Sequence, residues 1–154
     1  MSTSTNCTSP ANMERKTVVS EALIQAYRET HFIMHEPERL VLKVGQRNFG
    51  LARLHAQFGV SSSAFVTACS PFSQEVSAAV NAGRTISLEA ELRDSGLRYF
   101  EGVGEHPRGD WLGEASFLVL GIPLDDARAL GNHHEQNAIV WSGADAVPQL
   151  ILLR

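Results

Sequence analysis

The chain has 154 residues, 44% hydrophobic and 19% charged, with a formal net charge of -4 and a pI near 5.8. That length supports one domain with a real core, and the acidic balance argues against the basic face that general nucleic-acid binding needs. No apolar run would span a bilayer, and Met1 to Asn12 lacks the apolar stretch of a secretory signal, so a cytosolic protein with no membrane association is expected.

Residues 1–16 are small and polar and read as a disordered tail, leaving 17–154 as a single domain. A helix follows from about Val18 to Thr30, with Val19, Leu23, Ala26 and Tyr27 on one face and Thr17 as its cap. Strands are expected at Phe32 to Met34 and Leu40 to Val44, around the turn His35 to Glu38. Asn48 caps a second helix, Phe49 to Phe58, which Gly59 stops. Ala64 to Cys69 is an apolar run suited to a central strand. Pro71 begins a helical segment with Val76, Ala79 and Val80 inward, and Thr85 to Ser95 buries Leu88 and Leu92. Gly83 either breaks this pair or lies within one helix. Leu97 to Val103 reads as a strand, Gly102 to Gly113 as a mobile glycine-rich loop, and Ser116 to Ile122 as the most apolar strand. Pro123 starts a short helix that ends near Gly131, with Asp125 and Asp126 near its positive end. Ala138 to Trp141 and Gln149 to Leu153 complete the set. The fold class is α+β: a single domain with a mixed or mostly antiparallel sheet and about four helices.

Cys7 and Cys69 are the only cysteines, one in the tail and one at a strand end, so no structural disulfide is expected. The histidines show no His-Glu-x-x-His spacing, and His133 and His134 are adjacent rather than four apart. No metal and no cofactor are therefore expected. The glycines from Gly102 to Gly113 match neither dinucleotide nor P-loop spacing.

Polar residues recur at the edges of the apolar strands, and these are the candidates for a shared site. Ser70, Ser73 and Gln74 surround Pro71. As a helix start they would cap it; as a ligand site they would add donors to free N–H groups and the helix dipole. Asn81 and Arg84 are three apart on one helical face, one turn beyond Ser77. They form either a solvated face or an anion site in which Arg84 offers its guanidinium fork, and Arg84 could equally pair with Glu114 for structural reasons. Glu114 precedes the Ser116 strand, placed for a general base or for holding a loop. Gln136 and Asn137 alternate across a strand start and should face opposite sides, so that at most one points into a given pocket and the other pairs with a loop.

Thr67-Ala68 followed by Ser70-Pro71-x-Ser73, Asn81, Trp111-x-x-Glu114-x-Ser116 and Gln136-Asn137-Ala138-Ile139 stand in an order that resembles a small bacterial family catalogued as domain of unknown function 3293. The resemblance spans roughly Ala22 to Leu152. Similar proteins more often carry Asn where this chain has Ser70, which argues against a catalytic hydroxyl there. The resemblance implies one folded unit and bacterial origin, and no reaction. Two functions remain open on the sequence: a domain binding or transforming a small polar or anionic ligand, and an interaction module or homodimer using apolar edges and the Trp111 and Trp141 rings.

Overall fold

The computed structural model describes residues 17–109 and 113–154. Its elements in chain order are α1 (Glu21–Glu29), β1 (His31–Met34), β2 (Leu40–Leu42), α2 (Phe49–Gln57), β3 (Ser63–Thr67), a 3-10 turn (Pro71–Ser73), α3 (Ala78–Ser95), β4 (Tyr99–Glu105), β5 (Glu114–Leu120), α4 (Leu124–His133), β6 (Ala138–Ser142) and β7 (Gln149–Leu152). The strands form one sheet in the order β2-β1-β4-β5-β3-β6-β7, and every neighbouring pair is antiparallel. The expected α+β domain with four helices is present, and its sheet is antiparallel throughout the described residues.

Alternation along the strands explains the layering. In β3, Ala64 and Val66 point to one side and Phe65 to the other; in β5, Phe117 and Val119 oppose Leu118 and Leu120. The first set packs with Leu88 and Leu92 of α3 and Ala127 and Leu130 of α4. The second packs with Leu51 and Leu54 of α2 and with Met34, Leu40 and Leu42. Helices therefore cover both faces, which is why β3 and β5 read as unbroken apolar runs.

Several local expectations are corrected. Ser20, not Thr17, caps α1 by accepting from Leu23 N–H, while the Thr17 hydroxyl donates to the Arg154 carbonyl. The helix expected from Pro71 does not form there: Phe72 has φ 54°, and the chain re-enters helix only at Ala78, where the Ser77 side chain accepts from Val80 N–H. Beyond that point α3 runs through Gly83 unbroken, and Val80 is exposed rather than inward. Pro123 is the N-cap of α4, one position earlier than expected. Gly131 lies inside α4, where an added Cβ would stand 2.6 Å from Leu153 Cδ1 and 2.7 Å from Ile139 Cγ2. That glycine sets how closely α4 approaches the sheet rather than ending the helix.

The glycine-rich loop is likewise shorter than expected, because Gly102 and Gly104 belong to β4. A Cβ at Gly102 would meet the Ile33 carbonyl and the Phe65 ring, both at 2.7 Å. Glycine here permits close backbone approach rather than mobility. The tail expected over 1–16, and Trp111 with its neighbours 110 and 112, lie outside the described residues.

Candidate functional site

β3 ends at Thr67, whose hydroxyl donates to the Ala115 carbonyl at 2.7 Å and accepts from Cys69 N–H. Past that point the chain leaves the sheet in an unusual backbone. Ser70, Phe72 and Ser73 have φ of 48°, 54° and 60°, and Glu135 beside them has 58°. Left-handed conformations cost L-residues about 1–2 kcal/mol each, so this segment persists only because its surroundings hold it.

The holding groups are the polar residues singled out in the sequence. Arg84 donates from Nε to the Ala68 carbonyl at 2.6 Å, from Nη2 to the His134 carbonyl at 2.6 Å and from Nη1 to Glu135 Oε1 at 3.2 Å. Asn81 Oδ1 accepts from Ser70 N–H at 2.8 Å. Gln136 Nε2 donates to the carbonyls of Cys69 and His134, both at 3.1 Å. Phe72 N–H donates to the Glu135 carbonyl at 2.7 Å. Asn137 Nδ2 donates to Ser73 Oγ at 3.0 Å, and Ser73 also shares a hydrogen bond with the Tyr27 hydroxyl. The Arg154 guanidinium lies 4.2 Å from the centre of the Phe72 ring and donates to Asn137 Oδ1 at 3.3 Å.

Glu114 opens β5 at the edge of this network. Its carboxyl is half-buried, and burial raises its pKa above the usual carboxylate value, against a hydrogen bond from Ser70 that lowers it. Arg84 and Glu114 therefore flank the same short loop, one through Ala68 and the other through Ser70.

Seven of the eight candidates converge here: Ser70, Ser73, Asn81, Arg84, Glu114, Gln136 and Asn137. Gln74 stays exposed beyond the turn. The reasons for convergence differ from those expected. No helix N-terminus is present at Ser70, and its N–H and those of Phe72, Ser73 and Gln74 all donate within the protein, so they form no anion cradle. Asn81 and Arg84 face inward to the loop instead of forming a solvated stripe, and Ser77 is occupied as a cap. Gln136 and Asn137 precede β6, so strand alternation does not separate them and both reach the loop.

Tyr27, Glu135 and Arg154 were not foreseen. Tyr27 falls on the apolar face of α1, and only its hydroxyl carries the signal. Neither Glu135 nor Arg154 sits in a periodic pattern.

Residues 66–139 match the family described as protein of unknown function (DUF3293). The chain resembles that family over this segment. The matched segment is narrower than the resemblance read from the sequence; it contains the strained loop, α3, Glu114 and the 134–137 turn, and leaves out Tyr27 and Arg154. No curated protein and no solved structure matches the chain. No helix among the described residues is long and apolar enough to cross a membrane.

Proposed function

We propose that the chain is a bacterial cytosolic domain whose 68–74 loop, with Glu114, binds a small polar or anionic molecule and exchanges a proton with it. The carrying observation is the coincidence of strained backbone with a half-buried carboxyl: three left-handed residues between 70 and 73, clamped from four parts of the chain, border Glu114. Strain of this kind gathers at ligand clamps and catalytic sites, and a carboxyl raised by burial is better matched to proton transfer near neutrality than a surface one. Arg84 acts as a positioning residue, because each of its three nitrogens donates to the loop or its neighbours. Arg154, stacked on Phe72, supplies positive charge on the loop's other flank for an anionic group.

The test is backbone amide chemical-shift mapping against a panel of small carboxylates, phosphates and neutral polar metabolites. Binding should perturb 68–74 and 135–137, and Glu114→Gln and Arg154→Ala should weaken it at least fivefold while the fold is retained. Perturbations confined to other surfaces, or equal binding by both variants, would remove the site.

A second reading rests on the outer face of α3. Ala79, Val80, Ala82, Gly83 and Ile86 are exposed there, with Val80 at 49% and Ile86 at 67% of full exposure. Apolar side chains at this spacing suit pairing with a second copy of the chain. Sedimentation equilibrium of the wild type should show a dimer that Ile86→Asp dissociates; a monomer at all concentrations refutes it.

A further inference from the structure

The C-terminal end of α4 turns two neighbouring imidazoles onto one oxygen of α3. His133 closes the helix and His134 is its C-cap, with φ -98° and ψ 18°. This partly unwound geometry lets adjacent rings converge, where helical spacing alone would place ligands at i and i+4. His133 Nδ1 lies 3.0 Å and His134 Nε2 2.8 Å from the same Glu91 Oε1. One ligand atom from each of the three residues lies within 4.8 Å of the others.

We propose that Glu91, His133 and His134 form a binding site for a divalent cation of the zinc class. Two imidazoles and one carboxylate are a donor set that zinc prefers, and three protein ligands leave a fourth position open. Zinc holds nitrogen and oxygen ligands at about 2.0–2.2 Å, which places tetrahedral ligand atoms about 3.3 Å apart. The two N···O separations would widen by a few tenths of an ångström, and the two imidazole nitrogens, which lie within 4.8 Å of each other, would settle to the same spacing by side-chain rotation.

Two further observations set this cluster apart from a chance surface ion pair. His134 is buried, and its own carbonyl is fixed by Arg84 Nη2 and Gln136 Nε2, so the ligand backbone is held by groups that do not themselves ligate. Glu91 and His133 also line a cleft of about 470 Å³ whose walls include Leu92, Leu97, Ile122 and Leu130, with Asp126 at the same opening. The open coordination position is thus available to water or to a ligand with an apolar body and one metal-binding atom. This site is separate from Glu114 and does not depend on the 68–74 loop binding anything.

The experiment is titration of chelator-treated full-length protein with zinc by calorimetry, and with cobalt by visible absorption. One equivalent should bind with a Kd of about 10 μM or tighter, cobalt should give the intense absorption of a tetrahedral site, and zinc should raise Tm. His133→Ala, whose side chain is 68% exposed, and Glu91→Gln should each weaken binding at least tenfold and abolish the Tm increase. His35→Ala, at an exposed turn, should bind as the wild type does. Absence of stoichiometric binding at millimolar zinc would overturn the proposal. So would binding that survives both substitutions, because the metal would then sit elsewhere in the chain.

Discussion

Replacing Arg84 with alanine tests whether the strained loop is held from α3. The substitution removes two charged donors from backbone carbonyls, at Ala68 and His134, and one ion pair with the half-exposed Glu135. The losses are unequal. The His134 carbonyl keeps Gln136 Nε2 as a donor, whereas the Ala68 carbonyl loses the Arg84 Nε donor that holds it at 2.6 Å. Hydrogen bonds from charged groups contribute about 1.5–3 kcal/mol each, and an exposed ion pair contributes about 0–1 kcal/mol. Because the Arg84 side chain is 23% exposed, water would take up part of what it leaves. The expected destabilisation is therefore about 2–4 kcal/mol, or a Tm lower by roughly 5–15 °C for a domain of this size. Urea denaturation gives the stability change, and Glu135→Ala provides the control, with a loss below about 1 kcal/mol. Amide exchange at 70–74 should also accelerate more in Arg84→Ala than exchange in β5. A loss below about 1 kcal/mol, with exchange in the loop unchanged, would refute the clamp.

Gly102→Ala should destabilise by about 1–3 kcal/mol, since its Cβ would overlap the Ile33 carbonyl and the Phe65 ring; a neutral result in chemical denaturation would contradict the close β1–β4 approach. Glu114→Gln should show a pH-dependent difference from wild type. A carboxyl raised in the folded state favours folding below its unfolded pKa near 4.5, and that contribution is lost as pH rises through the folded value. The stability difference should thus shift in favour of the glutamine variant as pH climbs from about 4.5, and a difference flat with pH denies the burial of this group. His55, whose Nε2 lies 2.8 Å from Ser63 Oγ, has its pKa lowered by burial. Its contribution is full above about 6.5 and falls on acidification, so His55→Gln should flatten the acid limb of the stability profile; an unchanged limb would refute this. Ser77→Ala should cost about 0.5–2 kcal/mol and fray α3 from Ala78, as read by amide exchange; fraying from Pro71 instead would show that the helix starts earlier.

Apolar periodicity carried most of the architecture into view. β3, β5, α2 and the Leu88–Leu92 stripe of α3 were all legible because burial on a sheet or helix face leaves a spacing in the sequence. What periodicity does not encode is conformation chosen by distant partners. Ser70-Pro71 has the chemistry of a helix start, yet Phe72 adopts a left-handed backbone because its N–H is taken by the Glu135 carbonyl, 63 positions away. The candidate site was legible as a set of residues, since polar groups at strand ends have few reasons to be there. Its inner logic was not, because Arg84 and Gln136 bind backbone carbonyls, and a carbonyl leaves no mark in residue identity. Adjacent histidines fail every spacing rule for a regular helix, and their convergence on Glu91 appears only once the end of α4 is set beside α3.

The strand order has a consequence for how the molecule is made. β3 lies between β5 and β6, and both are translated after it: Thr67 pairs with Ser116, 49 residues downstream, and Phe65 with Val140, 75 residues downstream. During synthesis this apolar strand waits, unpaired on both edges, until β5 and then β6 have emerged. Among the described residues before α3, the β1–β2 hairpin is the one strand pair that can form without later strands. Closing such long loops before their contacts form slows folding and lengthens the exposure of a sticky edge. The central strands can therefore all pair only once the chain through β6 has left the ribosome.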